Sequence, residues 1–227
     1  WLPFDGKSLR DNENASLQHA VELMKSAREG AGRDADIYIE CAERLSPRTF
    51  EKVEGLFKPY NPAWFEEPIP FENPKEMIRL QRNVSTPIAT GERLLSRWEF
   101  RELLEGGGCK IIQPDLMHAG GITEVYKIAA MAETYYISVA PHNPGGPICN
   151  LAAMHLAAAI PNFLVLEQME NERQLRDEIS TEPVLYEDGF FVVPDGPGLG
   201  TDLDLDLLKE HSYKPQPTSG TPDTIWR

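Results

Sequence analysis

The chain has 227 residues, 41% of them hydrophobic, enough to close a sizeable core as one domain with an appendage. Its formal net charge is -14, from 22 Lys+Arg against 36 Asp+Glu. That balance excludes nucleic acid or an anionic lipid surface as the main partner, and an anionic substrate would need a cation or a local Arg cluster to receive it. Cys41, Cys109 and Cys149 lie far apart with no C-x-x-C pair, so neither a disulfide framework nor a structural zinc site is expected. Reduced thiols and a cytoplasmic location follow. No apolar run reaches the roughly 18 residues of a membrane span, and "WLPFDGKSLRDNENAS" lacks a signal-peptide pattern, so no membrane association is expected.

In chain order, "SLQHAVELMKSAREGAG" (16 to 32) places Leu17, Ala20, Val21 and Met24 at helical spacing behind a Ser cap. It leads into "DADIYIE", a short β-branched run ending at Glu40. The pattern recurs: "TFEKVEGLFKPYN" leads to "AWFEE", "NPKEMIRLQRNVS" to "TPIATGE", and "RWEFRELLEGGG" to "CKIIQPD". "GITEVYKIAAMAETYY" then leads to "ISVAPH", and "GPICNLAAMHLAAAIPN" to "FLVLEQ". The last of these, Phe163 to Leu166, reads as a strand buried on both faces.

An acidic residue or His closes each strand, at 40, 66, 92, 115, 142 and 167, with intervals of 26, 26, 23, 27 and 25 residues. Those are βα unit lengths. Strands joined by crossover helices are parallel, so all six polar ends share one edge. Site residues drawn from several strand ends favour a (β/α) barrel over a doubly wound sheet. Six units are two short of eight, so the first strands are expected from residues outside this chain. Residues 1-200 read as the barrel portion. Residues 201-227, after a hairpin-like "YEDGFFVVPDGPGLG", read as a tail packing outside it or against a further domain.

Glu40, Glu66 and Glu92 close consecutive strands. Converging carboxylates repel unless something positive sits among them, and hard oxygen donors in that number suit Mg2+. Glu67, next in sequence to Glu66, points the other way on a strand and reads as a structural ion-pair residue. Asp115 and His142 close the next two strands. Neighbouring strands lie about 4.8 Å apart, so the carboxylate can orient the imidazole and raise its basicity. The Gly/Pro loop "NPGGP" after His142 would let a ligand approach the backbone. His118 is a second candidate, with a loop-capping role as the plainer alternative. Arg93 and Arg97 would pair with the metal-site carboxylates or with substrate.

The ordered set Glu40, "WFEEP", "TGER", "QPD", "HAGGIT", "APHNPGGP" and "LEQ" resembles the mandelate racemase branch of the enolase superfamily, and within it the galactonate-type acid-sugar dehydratases. The resemblance spans roughly residues 36 to 200. It implies a modified (β/α)7β TIM-type barrel whose N-terminal capping domain and first strands are absent from this chain. It further implies Mg2+ on Glu40, Glu66 and Glu92, His142 with Asp115 as the base, and Glu167 hydrogen-bonding the developing enediolate while held protonated by neighbouring negative charge. Arg93, His118 and Asn143 would meet the substrate, a small sugar acid, in a homo-oligomer. The chemistry would be dehydration to a 2-keto-3-deoxy acid, with racemisation, epimerisation or cycloisomerisation as the alternative and a non-catalytic binding barrel as the other class. The chain departs from that pattern at the first ligand: where the dehydratases typically carry an Asp followed two residues later by a His, this chain has Glu40 and Ala42, leaving the departing hydroxyl to His142, Glu43, Arg44 or a residue outside the chain.

Overall fold

The computed structural model describes residues 6–211. Two compact units divide them: the first runs to Gly91 and includes Glu102–Ile111, and the second takes Glu92–Arg101 and continues from Ile112.

In the first unit, α1 (Gly6–Ala31) bends at Asn12, whose φ of -156° is not helical. Asn12 Oδ1 accepts the Ala15 N–H at 3.2 Å, so the second helical stretch is capped there, ahead of the expected Ser16. Leu17, Ala20 and Met24 are buried, as their spacing requires. Strand β1 (Tyr38–Glu40) follows, then α2 (Pro47–Phe57), whose first turn is closed by the Ser46 hydroxyl accepting from Thr49 N, with Pro at the first helical position. Then come β2 (Trp64–Glu66), α3 (Pro74–Asn83) and β3 (Ile88–Thr90). β1 and β2 pair in parallel with Tyr38 opposite Trp64, Ile39 opposite Phe65, and Glu40 opposite Glu66. β2 and β3 pair in parallel with Phe65 opposite Ile88.

Alternation along these strands separates two faces. Ile39, Phe65 and Ile88 face the core, where Phe50 meets the Phe65 ring edge-on at 5.3 Å and Phe57 lies 6.0 Å away. Tyr38 and Trp64 stack on the other face at 3.7 Å, which is also the face of Glu40 and Glu66.

α2 also anchors the turn into β3. Glu54 Oε1 accepts from the N–H and hydroxyl of both Ser85 and Thr86, at 3.0 to 3.3 Å. Burial alone would raise this carboxyl, but the four donors outweigh it and hold it below its ordinary 4.5. A depressed carboxylate contributes stability that is full above the unfolded-state value and is lost as pH falls through the folded-state value. Glu54→Gln should therefore flatten the acid limb of the stability curve below about pH 4.5, read as urea midpoints across that range. A limb as steep as wild type would contradict the assignment.

α4 (Arg97–Gly106) and β4 (Ile111–Ile112) each contribute residues to both units. Within the first, Lys110 N donates to Ile88 O; within the second, Ala140 N donates to Ile112 O. The first unit thus orders its strands β1-β2-β3 with the start of β4 beyond, and in the second unit the end of β4 neighbours β5 (Ser138–Val139). The second unit adds α5 (Ile122–Glu133), α6 (Pro147–Ala159), α7 (Arg173–Glu178), the antiparallel hairpin β6 (Tyr186–Glu187) and β7 (Phe190–Phe191), and α8 (Leu205–Glu210).

The expected buried strand at 163 to 166 is corrected. Only Phe163 pairs, in a single parallel bridge to Val139, and Phe163 and Leu164 are exposed. A strand is covered only when elements lie on both sides, and among the described residues none pairs with its other edge. Of the tail, Leu203 bridges to Ser180 and Thr181 bonds Asp202; residues 212–227 lie outside the described set. All three cysteines are buried and free, and among the described residues no helix is long and apolar enough to cross a membrane.

Candidate active site

The chain leaves its first three strands in left-handed backbone, with φ of +50° at Ala42, +58° at Glu43, +38° at Glu67 and +125° at Gly91. Such turns next to strand ends are where proteins hold functional side chains. In the first unit, Glu40 and Glu66 are register partners on one face of neighbouring strands. Each is fixed locally: Ala42 N–H donates to Glu40 Oε1, and the Trp64 indole donates to Glu66 Oε2 at 3.2 Å, with Tyr38 stacked on the indole. The Trp64 bond was readable in principle, because residues two apart on a strand share a face. Glu43, a candidate acid, is buried and accepts the Phe71 N–H.

The second unit gathers the titratable groups. His142 Nδ1 lies 2.8 Å from Asp115 Oδ2. Asp115 is fully buried, and an ionised carboxylate only accepts, so the proton sits on Nδ1 and Nε2 of the neutral ring keeps its lone pair. Burial alone would lower the imidazole, but the Asp115 hydrogen bond and the charges of Glu92, Glu167 and Asp115 outweigh it and carry His142 above its ordinary range. Burial likewise pushes the Asp115 carboxyl up; the His142 hydrogen bond, the Met117 N–H and the two imidazoles bring it below the usual value. Asp115 Oδ1 accepts from Met117 N at 2.6 Å and His118 N at 3.3 Å, which pins the loop.

Glu92 Oε2 lies 3.4 Å from His142 Nε2, and Arg93 Nε lies 3.8 Å from Glu92 Oε1. His118 is exposed, its Nδ1 3.2 Å from the Glu92 carbonyl and its ring 6.4 Å from that of His142. Glu167 Oε2 accepts the Asn143 N–H at 2.6 Å, and the Asn143 amide donates to the Glu167 carbonyl at 3.0 Å. Gln168 is held in turn by Arg176 at 2.9 Å and Asn150 at 3.3 Å. Glu40 and Glu66 in the first unit and Glu92 in the second are half-buried carboxylates, each following or closing a strand.

The "Enolase C-terminal domain-like" family matches residues 5–207. The chain belongs to that family. Its fold is accordingly the family's barrel portion, a parallel α/β arrangement, and the expected place in the enolase superfamily holds. Over 202 residues it is 35% identical to D-xylonate dehydratase of Haloferax volcanii, covering 89% of this chain and 49% of that protein. Over 222 residues it is 36% identical to D-galactonate dehydratase of Pectobacterium atrosepticum, covering 95% and 57%. A crystal structure of an enolase from Agrobacterium radiobacter, with sodium and L-malate bound, superposes with a TM-score of 0.83 at 31% identity, covering 93% of this chain and 58% of that one. The chain thus spans about half the length of the curated relatives it matches.

Three further positions of this enolase-family chain have close neighbours within the second unit. Asn143 is buried, and its backbone N–H and its side-chain amide each donate one hydrogen bond to Glu167. Arg97 pairs with Glu124 at 2.5 Å. Gly145, just ahead of α6, leaves room for that helix: a Cβ there would meet Cys149 Cβ at 2.6 Å and Met117 Sδ at 3.3 Å. Sequence reasoning missed the hold of Asn143 on Glu167, because residues 24 apart meet only through the fold.

Proposed function

We propose that this chain is the site-bearing portion of a Mg2+-dependent dehydratase acting on a sugar acid, an aldonate or aldarate. The observation that carries the reading is the His142–Asp115 pair at 2.8 Å, with Nε2 left as the basic end. Family membership, the two dehydratase relatives and the strand-end carboxylates support it. Glu40, Glu66 and Glu92 fit Mg2+: they are hard oxygen donors, half-buried, and steadied by partners such as Ala42 N–H and Trp64 Nε1. When bound there, the cation would supply electrostatic stabilisation for negative charge developing on the substrate carboxylate.

The chain's own residues do the rest. His142 Nε2 takes the α proton, and Asp115 holds the ring in the productive tautomer and stabilises its protonated form. Glu167, steadied by the Asn143 N–H on one carboxyl oxygen, would in its acid form donate a hydrogen bond to the enediolate. Loss of the β-hydroxyl with the proton returned from His142 expels water, and tautomerisation gives the 2-keto-3-deoxy acid. Ala42, in place of the expected acid, is the observation favouring a second reading, epimerisation through the same enediolate.

A screen of the intact protein with Mg2+ against mono- and diacid sugars, reading 2-keto acid formation, separates the two. Keto acid is the expected result. Inversion at the α carbon without keto acid would replace dehydration with epimerisation.

A further inference from the structure

Glu67 is a buried ionisable group that this chemistry leaves unused. It is 1% exposed, follows Glu66 directly, and sits in left-handed backbone at φ +38°. One oxygen of its carboxylate, Oε1, accepts two hydrogen bonds: from the Thr90 hydroxyl at 2.9 Å and from the Gly91 N–H at 2.6 Å. Its amide donates to Ala89 O at 3.0 Å, and its carbonyl accepts the Glu43 N–H at 2.7 Å. A single residue therefore ties together the segments that follow β1, β2 and β3, each within three residues of Glu40, Glu66 or Glu92. Gly91 is the hinge of this arrangement. Its φ of +125° is open to glycine and little else, and the backbone there is held by the Glu67 carboxylate.

We propose that Glu67 is a positioning residue that locks the Thr90–Gly91 step and so presents the Glu92 carboxylate for metal binding. This deepens the reading of Glu40, Glu66 and Glu92 as ligands and rests on it. Charge-assisted hydrogen bonds of this kind fix geometry strongly, and partners that orient a ligand from behind set metal affinity by roughly 10- to 100-fold.

The test is calorimetric titration of Mg2+ into the metal-stripped intact protein, with thermal midpoints recorded beside it. Glu67→Ala should weaken Mg2+ binding by about 10- to 100-fold. Glu67→Gln, which keeps an acceptor oxygen for Thr90 and Gly91, should restore most of that loss, a rescue that a purely packing role would not produce in metal affinity. Thr90→Val deletes one donor and leaves the carboxylate in place, so it reads the same lock if Glu67→Ala does not fold; it should weaken binding several-fold. Wild-type affinity in either Glu67→Ala or Thr90→Val, or Glu67→Gln as weak as Glu67→Ala, would overturn the proposal. Absence of Mg2+ binding in the wild type would overturn the ligand reading itself.

Discussion

His142→Asn is expected to slow α-proton removal by about 10²- to 10⁴-fold, the usual worth of a positioned general base, while Mg2+ binding stays close to wild type. Asn is polar and can keep a hydrogen bond to the buried Asp115 carboxylate, so the pocket retains its shape and Asp115 keeps a partner. What disappears is the basic nitrogen at the Nε2 position. Deuterium uptake from D2O at the substrate α carbon measures the step directly. Uptake at the wild-type rate in His142→Asn would remove this residue as the base and move the search to residues outside the chain.

Glu92→Gln is the second large effect. It changes an ionised oxygen donor of the proposed metal set for a neutral amide, and a hard cation such as Mg2+ depends on ligand charge. The expected loss of Mg2+ affinity exceeds the roughly 10- to 100-fold typical of disturbing an outer partner. Calorimetric titration reads it, and an isotherm indistinguishable from wild type would count against the metal assignment. The variant also takes a negative charge away from His142 Nε2, 3.4 Å distant. Activity alone would therefore mix two effects, and the binding isotherm is the cleaner measure.

The architecture was legible because a βα unit has a characteristic length. Regular spacing of strand-end polar residues from Glu40 to Glu167 implies parallel strands, and the register of Glu40 with Glu66 follows from simple alternation. The approach of Asp115 to His142 was legible for the same reason, as strand ends on neighbouring strands. Features that depend on a partner far along the chain were hidden. The apolar run Phe163 to Leu166 carries strand chemistry, yet whether it is covered depends on what lies along its free edge. Glu67 read as a structural ion-pair residue, and its hold on Thr90 and Gly91 emerges only when β2 and β3 are aligned. Asn143 read as a substrate contact, and its hold on Glu167 emerges only when the fold brings Glu167 to its N–H and side-chain amide. The Asn12 cap was hidden for a different reason: Ser16 is an equally good cap by residue type, and helix starts are decided by backbone geometry as much as by composition.

The central claim is that this site removes a proton α to a carboxylate and expels the β-hydroxyl. The most direct test is proton NMR of the intact protein with Mg2+ and a panel of aldonates and aldarates in D2O. The predicted result is Mg2+-dependent disappearance of an α-proton signal with appearance of a 2-keto-3-deoxy acid. Persistence of every α-proton signal while Mg2+ demonstrably binds would contradict it.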